Sequence, residues 1–115
     1  MSYMLLIVEP VGQRRERTET EGHEVYERML RFADTLKARG VLRASESLGS
    51  GARRLQKRDG RKDIVDGPFA EAKEMVGGFF LLDTASEDEA LAIAAECPAA
   101  EWCSVEVRKL APCYV

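Results

Sequence analysis

The run Asp66-Gly67-Pro68-Phe69-Ala70-Glu71-Ala72-Lys73-Glu74, followed directly by Met75-Val76-Gly77-Gly78-Phe79-Phe80-Leu81-Leu82-Asp83, decides how the rest of this chain is read. Its first half gathers turn formers, acids and a lysine. Its second half, from Val76 to Asp83, is a strand in which Phe79 and Leu81 point one way and Phe80 and Leu82 the other. Apolar residues on both faces require cover on both sides of the sheet.

Working outward, the segment before this run is a hairpin. Asp59-Gly60 supplies two residues that tolerate the positive φ of a type I′ turn. A two-residue turn there places Leu55 opposite Ile64, Gln56 opposite Asp63 and Arg53 opposite Asp66. Val41 to Leu48 reads as a strand, separated from the hairpin by Gly49-Ser50-Gly51. Before it, Val25, Met29, Phe32, Ala33 and Leu36 form one apolar stripe, which predicts a helix from about Thr20 to Arg39. Thr18 and Glu21 have capping-box spacing, Thr20 is a second candidate cap, and Gly40 is placed to close the helix in a left-handed conformation. Tyr3 to Val8, bounded by Glu9-Pro10, reads as a first strand buried on both faces, and Val11 to Arg17 as a polar loop. Downstream, Ser86-x-x-Glu89 opens a second helix with Ala90, Ile93, Ala94 and Cys97 on its stripe, and Pro98 stops it. Trp102 to Lys109 is the last strand, with Cys103, Val105 and Val107 on one face and Ser104, Glu106 and Arg108 on the other.

The order is βαββαβ with an inserted hairpin, an α+β fold of the ferredoxin-like kind in one domain spanning 1–115. Two helices cover only one face of a four-stranded sheet. A second copy is the simplest cover for the other, which predicts a homodimer in the form of a dimeric α+β barrel.

Bulk properties agree with one globular domain: 115 residues, 45% hydrophobic and 32% charged. A net charge of −3 disfavours nucleic acid as a partner. No apolar run approaches the roughly 18 residues of a membrane span. Three cysteines without a C-x-x-C pair, in a chain that enters a strand at its third residue, point to reduced thiols and a cytoplasmic setting.

The central run, with Gly77-Gly78-Phe79-Phe80, resembles the defining segment of the DGPF group of YCII-related proteins. Tyr3-Met4-Leu5-Leu6-Ile7, Gly40-Val41-Leu42 with Glu46, and Val105-Glu106-Val107-Arg108 extend the resemblance over nearly the whole chain. It implies a dimeric α+β barrel with a cleft between sheet and loop, in a bacterial cytoplasm, and an association with extracytoplasmic-function sigma factors. The enzymatic role proposed for the wider family relies on a helix histidine paired with an aspartate. The matching helix position here is Met29, and the family's Asp-Pro after the second helix reads Cys97-Pro98.

Candidate chemistry centres on the quoted run. Asp66 suits a general base or a ligand anchor; its structural alternative is a turn or helix N-cap beside Arg53. Glu71 and Lys73 suit proton transfer and anion stabilisation, against the plainer reading of an exposed charged loop. Asp66, Glu71 and Lys73 are thus the candidate catalytic set. Glu46, Arg53, Phe69, Glu106 and Arg108 are the candidate ligand-binding set, provided that their faces look into the barrel. The acids lack a histidine partner at ligand spacing, so neither a metal nor another cofactor is expected. His23 reads as a surface residue and Cys97 and Cys103 as core. Arg14, Arg15 and Arg17, with Arg53, Arg54, Arg58, Arg61 and Lys62, read as solvated loop charges. Two functions are carried forward. One is a dimer that binds a small polar or carboxylate ligand and performs proton transfer of isomerase or lyase type. The other is a non-catalytic accessory or sensor linked to sigma-factor regulation.

Overall fold

Alternation along the first strand sets the layers. In the computed structural model, which describes residues 1–115, β1 runs Ser2–Pro10, and Tyr3, Leu5, Ile7 and Glu9 are all buried on one face. The other face, with Met4, Leu6 and Val8, is only partly covered. The expectation of a strand buried on both faces is corrected here for the single chain. The strand is also longer than Tyr3–Val8, because Glu9 and Pro10 pair with Met75 and Glu74.

The remaining elements follow the expected order. Helix α1 spans Glu19–Ala38, β2 Leu42–Ser47, β3 Arg53–Arg58, β4 Arg61–Asp66, β5 Glu74–Asp83, α2 Glu87–Glu96 and β6 Ser104–Lys109. The four-stranded sheet has the order β2-β5-β1-β6 and its neighbours are antiparallel. This is the ferredoxin-like arrangement. Both helices lie on one face: Phe32 and Leu36 from α1, Ile93 and Ala94 from α2 and Cys97 just after it join Leu5, Ile7, Phe80 and Leu82 in the core. Phe32 and Phe80 meet edge to face, with centroids 5.2 Å apart.

The helix ends obey local chemistry. Thr18 accepts from the Glu21 amide at 3.1 Å and Glu21 Oε1 accepts from the Thr18 amide at 2.9 Å, completing the capping box. The Thr18 backbone bond is the first cause that holds the Glu21 carboxyl below its ordinary range. Thr18, not Thr20, is the cap, and the helix starts at Glu19. Gly40 takes a φ of 75° and ends α1. In α2, Ser86 caps the Glu89 amide at 3.2 Å.

Strands β3 and β4 form a separate two-stranded hairpin with the anticipated register, Arg53 opposite Asp66 and Leu55 opposite Ile64. Asp59 and Gly60 supply the positive φ values of its turn. It projects as an arm: the radius of gyration is 16.0 Å, against roughly 13 Å for a compact chain of this length. Leu55, Ile64 and Val65 on the arm are exposed.

Candidate functional site

A cleft of about 340 Å³ opens between α1 and the sheet, on the helix-covered side. Its apolar walls come from Val25, Met29, Leu30 and Ala33 of α1, with Ile7, Phe80 and Trp102 opposite. Its polar end is built from Glu9 and Arg14. Arg14 lies in a short 3-10 turn, Gln13–Glu16, where a polar loop was expected. The turn is held by the hydrogen bonds that Arg14 makes. Its Nε and Nη2 donate to the two oxygens of Glu9 at 3.0 and 2.7 Å, a bidentate pair. Its Nη1 donates to the Leu48 carbonyl at 2.7 Å and Nη2 to the Gly77 carbonyl at 3.3 Å. The Glu9 side chain is only 8% exposed. Four donor bonds on one guanidinium thus tie β1, β5 and the residue that follows β2 together around a buried carboxylate.

The sheet makes room for that pair through a bulge. The β1–β5 register shifts between Ile7, opposite Gly78, and Val8, opposite Val76, which leaves Gly77 as the extra residue. A Cβ on Gly77 would overlap Glu9 Oε1 and lie 2.8 Å from Glu9 Cδ and 2.9 Å from Arg14 Nη2. On Gly78 it would come within 2.9 Å of the Glu46 carbonyl. The Gly77-Gly78 pair therefore permits the close approach of the charged pair and of β2.

Trp102 closes one side. Its carbonyl accepts from Gln13 Nε2 at 2.7 Å. Arg17 and Arg28 lie against its ring at 5.8 and 5.3 Å from the centroid. Nearby, burial pushes the Cys103 thiol up; Glu9 acts in the same direction and Arg17 opposes it. Burial pushes Cys97 up to about 11. No three of the His, Cys, Asp and Glu side chains gather into a metal-ligand cluster.

Residues 1–113 match the YCII-related domain. The chain belongs to the YCII-related family. It is 45% identical over 64 residues to an uncharacterized protein of Rhizobium meliloti, a match covering 54% of this chain. The match spans about half, 52%, of that relative's length. Among solved structures it is similar to a 5-chloro-2-hydroxyhydroquinone dehydrochlorinase from Burkholderia phenoliruptrix, determined with 2,5-dihydroxybenzoquinone. The TM-score is 0.54 at 18% identity, over 96% of this chain and 94% of that one. That likeness carries the α+β fold. No helix of this YCII-related chain is long and apolar enough to cross a membrane.

The residues singled out from the sequence fall elsewhere. Arg53 and Asp66 pair at 3.0 Å as expected, but both are over 70% exposed at the base of the arm. Glu71 pairs with Arg54, and that hydrogen bond, first among the causes, holds its carboxyl below the ordinary range. Phe69 packs under the Arg54 guanidinium at 3.8 Å. Lys73 is exposed, and its carbonyl accepts from the Val11 amide. Glu71 and Lys73 sit in a turn rather than a strand, so the alternation that would put them on one face does not operate. Glu106 and Arg108, exposed, pair in register with Leu6 and Met4 on the helix-free face. Of the whole set, only Glu46 borders the cleft. It pairs with Phe79, which turns its side chain to the helix-free face. The sequence reading missed Glu9, which extends the buried odd-numbered row of β1, and Arg14, taken for loop charge.

Proposed function

We propose that this protein binds a small, largely apolar organic molecule in the cleft between α1 and the sheet and acts on it by proton transfer, in the manner of a lyase or isomerase. The observation that carries the reading is the buried Glu9–Arg14 pair, seated where a glycine bulge leaves room for it. An ion pair removed from water is costly to maintain for stability alone. Here it lines a cavity large enough for one aromatic ring. Each Glu9 oxygen accepts one bond from Arg14 and has a lone pair left to receive a ligand's hydroxyl or acidic proton. Arg14 fixes the carboxylate's orientation, and the apolar walls shield the exchange from water.

The dehydrochlorinase likeness, at fold level, fits this class of chemistry and suggests the first probe. Calorimetric titration with 2,5-dihydroxybenzoquinone should give saturable binding that Glu9→Gln weakens at least tenfold, while Asp66→Asn and Lys73→Met leave it unchanged. Absence of binding, or loss through Asp66 and Lys73 but not Glu9, overturns the assignment of the site. Incubation with chlorinated hydroquinols, followed by chloride release, tests the reaction class.

The same reading includes a homodimer. Only 16 of 115 residues are buried in one chain, and Met4, Leu6, Val8, Phe79 and Leu81 leave the helix-free face partly bare. A second copy over that face removes it from water.

One observation favours a second function: the projecting arm exposes Leu55, Ile64 and Val65. A regulatory partner, such as a sigma-factor-linked protein, would find an apolar handle there. Replacing Leu55 and Ile64 by serine should abolish such an association without touching ligand binding in the cleft.

A further inference from the structure

We infer that Arg17 is the residue by which the cleft selects an anionic ligand, so that the molecule taken is a small planar acid: a carboxylate, phenolate or enolate on a ring. This rests on the cleft being the ligand site. Four charged residues border the cleft: Glu9, Arg14, Arg17 and Glu46. Glu9 and Arg14 neutralise one another, and the Glu46 side chain lies on the sheet's other face. Arg17 forms no ion pair; its charge helps hold down the carboxyl of Glu21, which is exposed and does not border the cleft, so the lining itself keeps one positive charge with no paired carboxylate.

Arg17 is held in place without being consumed. Its Nη2 donates to Gln13 Oε1 at 3.3 Å, and Gln13 is itself anchored through Nε2 to the Trp102 carbonyl at 2.7 Å. The guanidinium lies 5.8 Å from the Trp102 ring centroid. Arg28 touches the same ring but is neutralised by Glu101. Two cations therefore flank one indole, and the one bordering the cleft is not held in an ion pair. A guanidinium carries five N–H donors, and a single bond within the protein engages Arg17. The others are available in a fork that matches a carboxylate or a pair of adjacent oxyanions. Because Gln13 and Trp102 already restrict the side chain, little further ordering is needed when an anion binds. Trp102, Val25 and Met29 supply a flat apolar surface for the ring behind the anionic group, and the Glu9 carboxylate waits for its protic end.

Trp102 is the only tryptophan, so its fluorescence reports the cleft directly. The test compares benzoate with benzamide, which share a ring and differ in charge. Wild-type protein should bind benzoate roughly tenfold more tightly in low salt, as expected for one charge-assisted contact. Arg17→Gln should erase that preference while retaining benzamide affinity, and Arg17→Lys should restore part of it. Equal affinity for the two probes in wild type, or a preference that survives in Arg17→Gln, overturns the assignment of Arg17 while the cleft stands. If neither probe perturbs Trp102, the cleft reading fails and this inference with it.

Discussion

Replacing Gly77 by alanine adds one methyl group at the point where the buried pair leaves no space. Gly77 has no positive φ, so its backbone accepts any residue. In an unstrained strand, glycine to alanine stabilises by about 0.5–1 kcal/mol. Here the methyl overlaps Glu9 Oε1 and crowds Glu9 Cδ at 2.8 Å and Arg14 Nη2 at 2.9 Å. The carboxylate has to swing away, and the bidentate pair is lost. Removing one partner of a buried pair costs roughly 3–5 kcal/mol. Alanine displaces Glu9 rather than deleting it, and Arg14, 33% exposed, regains some water, so about 2 kcal/mol is expected. For a domain of this size that lowers Tm by about 8 °C. Urea denaturation measures the loss, and a double-mutant cycle assigns it. In a Glu9→Ala background the obstructing carboxylate is gone, and Gly77→Ala should become neutral or stabilising. An equal cost in both backgrounds, or no cost in wild type, would refute the idea that Gly77 exists to admit Glu9.

The other expectations concern different parts of the molecule. Gly22 lies within α1 at the edge of the cleft, and a Cβ there meets nothing within 4 Å. Gly22→Ala should therefore raise stability by about 0.5–1 kcal/mol in urea denaturation, whereas Gly22→Leu should fill the cleft and weaken binding of 2,5-dihydroxybenzoquinone in calorimetry. Cys97 is protonated to higher pH in the folded chain, up to about 11 from a usual 9.0. Its contribution to stability is thus complete below pH 9 and is lost as pH rises towards 11, which urea midpoints across that range should show, and Cys97→Ala should flatten the decline. Leu6→Glu on the helix-free face should convert the proposed dimer to monomers in sedimentation equilibrium; wild-type protein that sediments as a monomer contradicts the proposed barrel.

Much of the fold could be read because its signals are local. The capping box at Thr18, the Ser86 N-cap, the closing Gly40 and the Asp59-Gly60 turn each depend on chemistry within a few residues, and each sits where that chemistry requires. The ferredoxin-like arrangement followed from the order of the elements along the chain. The site was less legible because it depends on approach between distant strands. Glu9 continues the odd-numbered row of Tyr3, Leu5 and Ile7, but a glutamate beside proline looks like a strand end. Only a bulge 68 residues later makes its burial tolerable. Arg14 looks like solvated charge until Leu48 and Gly77 bring their carbonyls to it. The one available signal was the glycine pair inside an otherwise bulky strand, which marks close approach of another group. The charged run from Asp66 to Glu74 drew attention by density of functional groups, yet Asp66 and Glu71 find their cations on the exposed arm.

A crystal structure of the protein with 2,5-dihydroxybenzoquinone tests the central claim most directly. The ring is predicted to lie between α1 and the sheet against Trp102, with one oxygen within hydrogen-bond distance of Glu9. Density instead beside Asp66 and Lys73, with the α1 cleft holding only water, would contradict it.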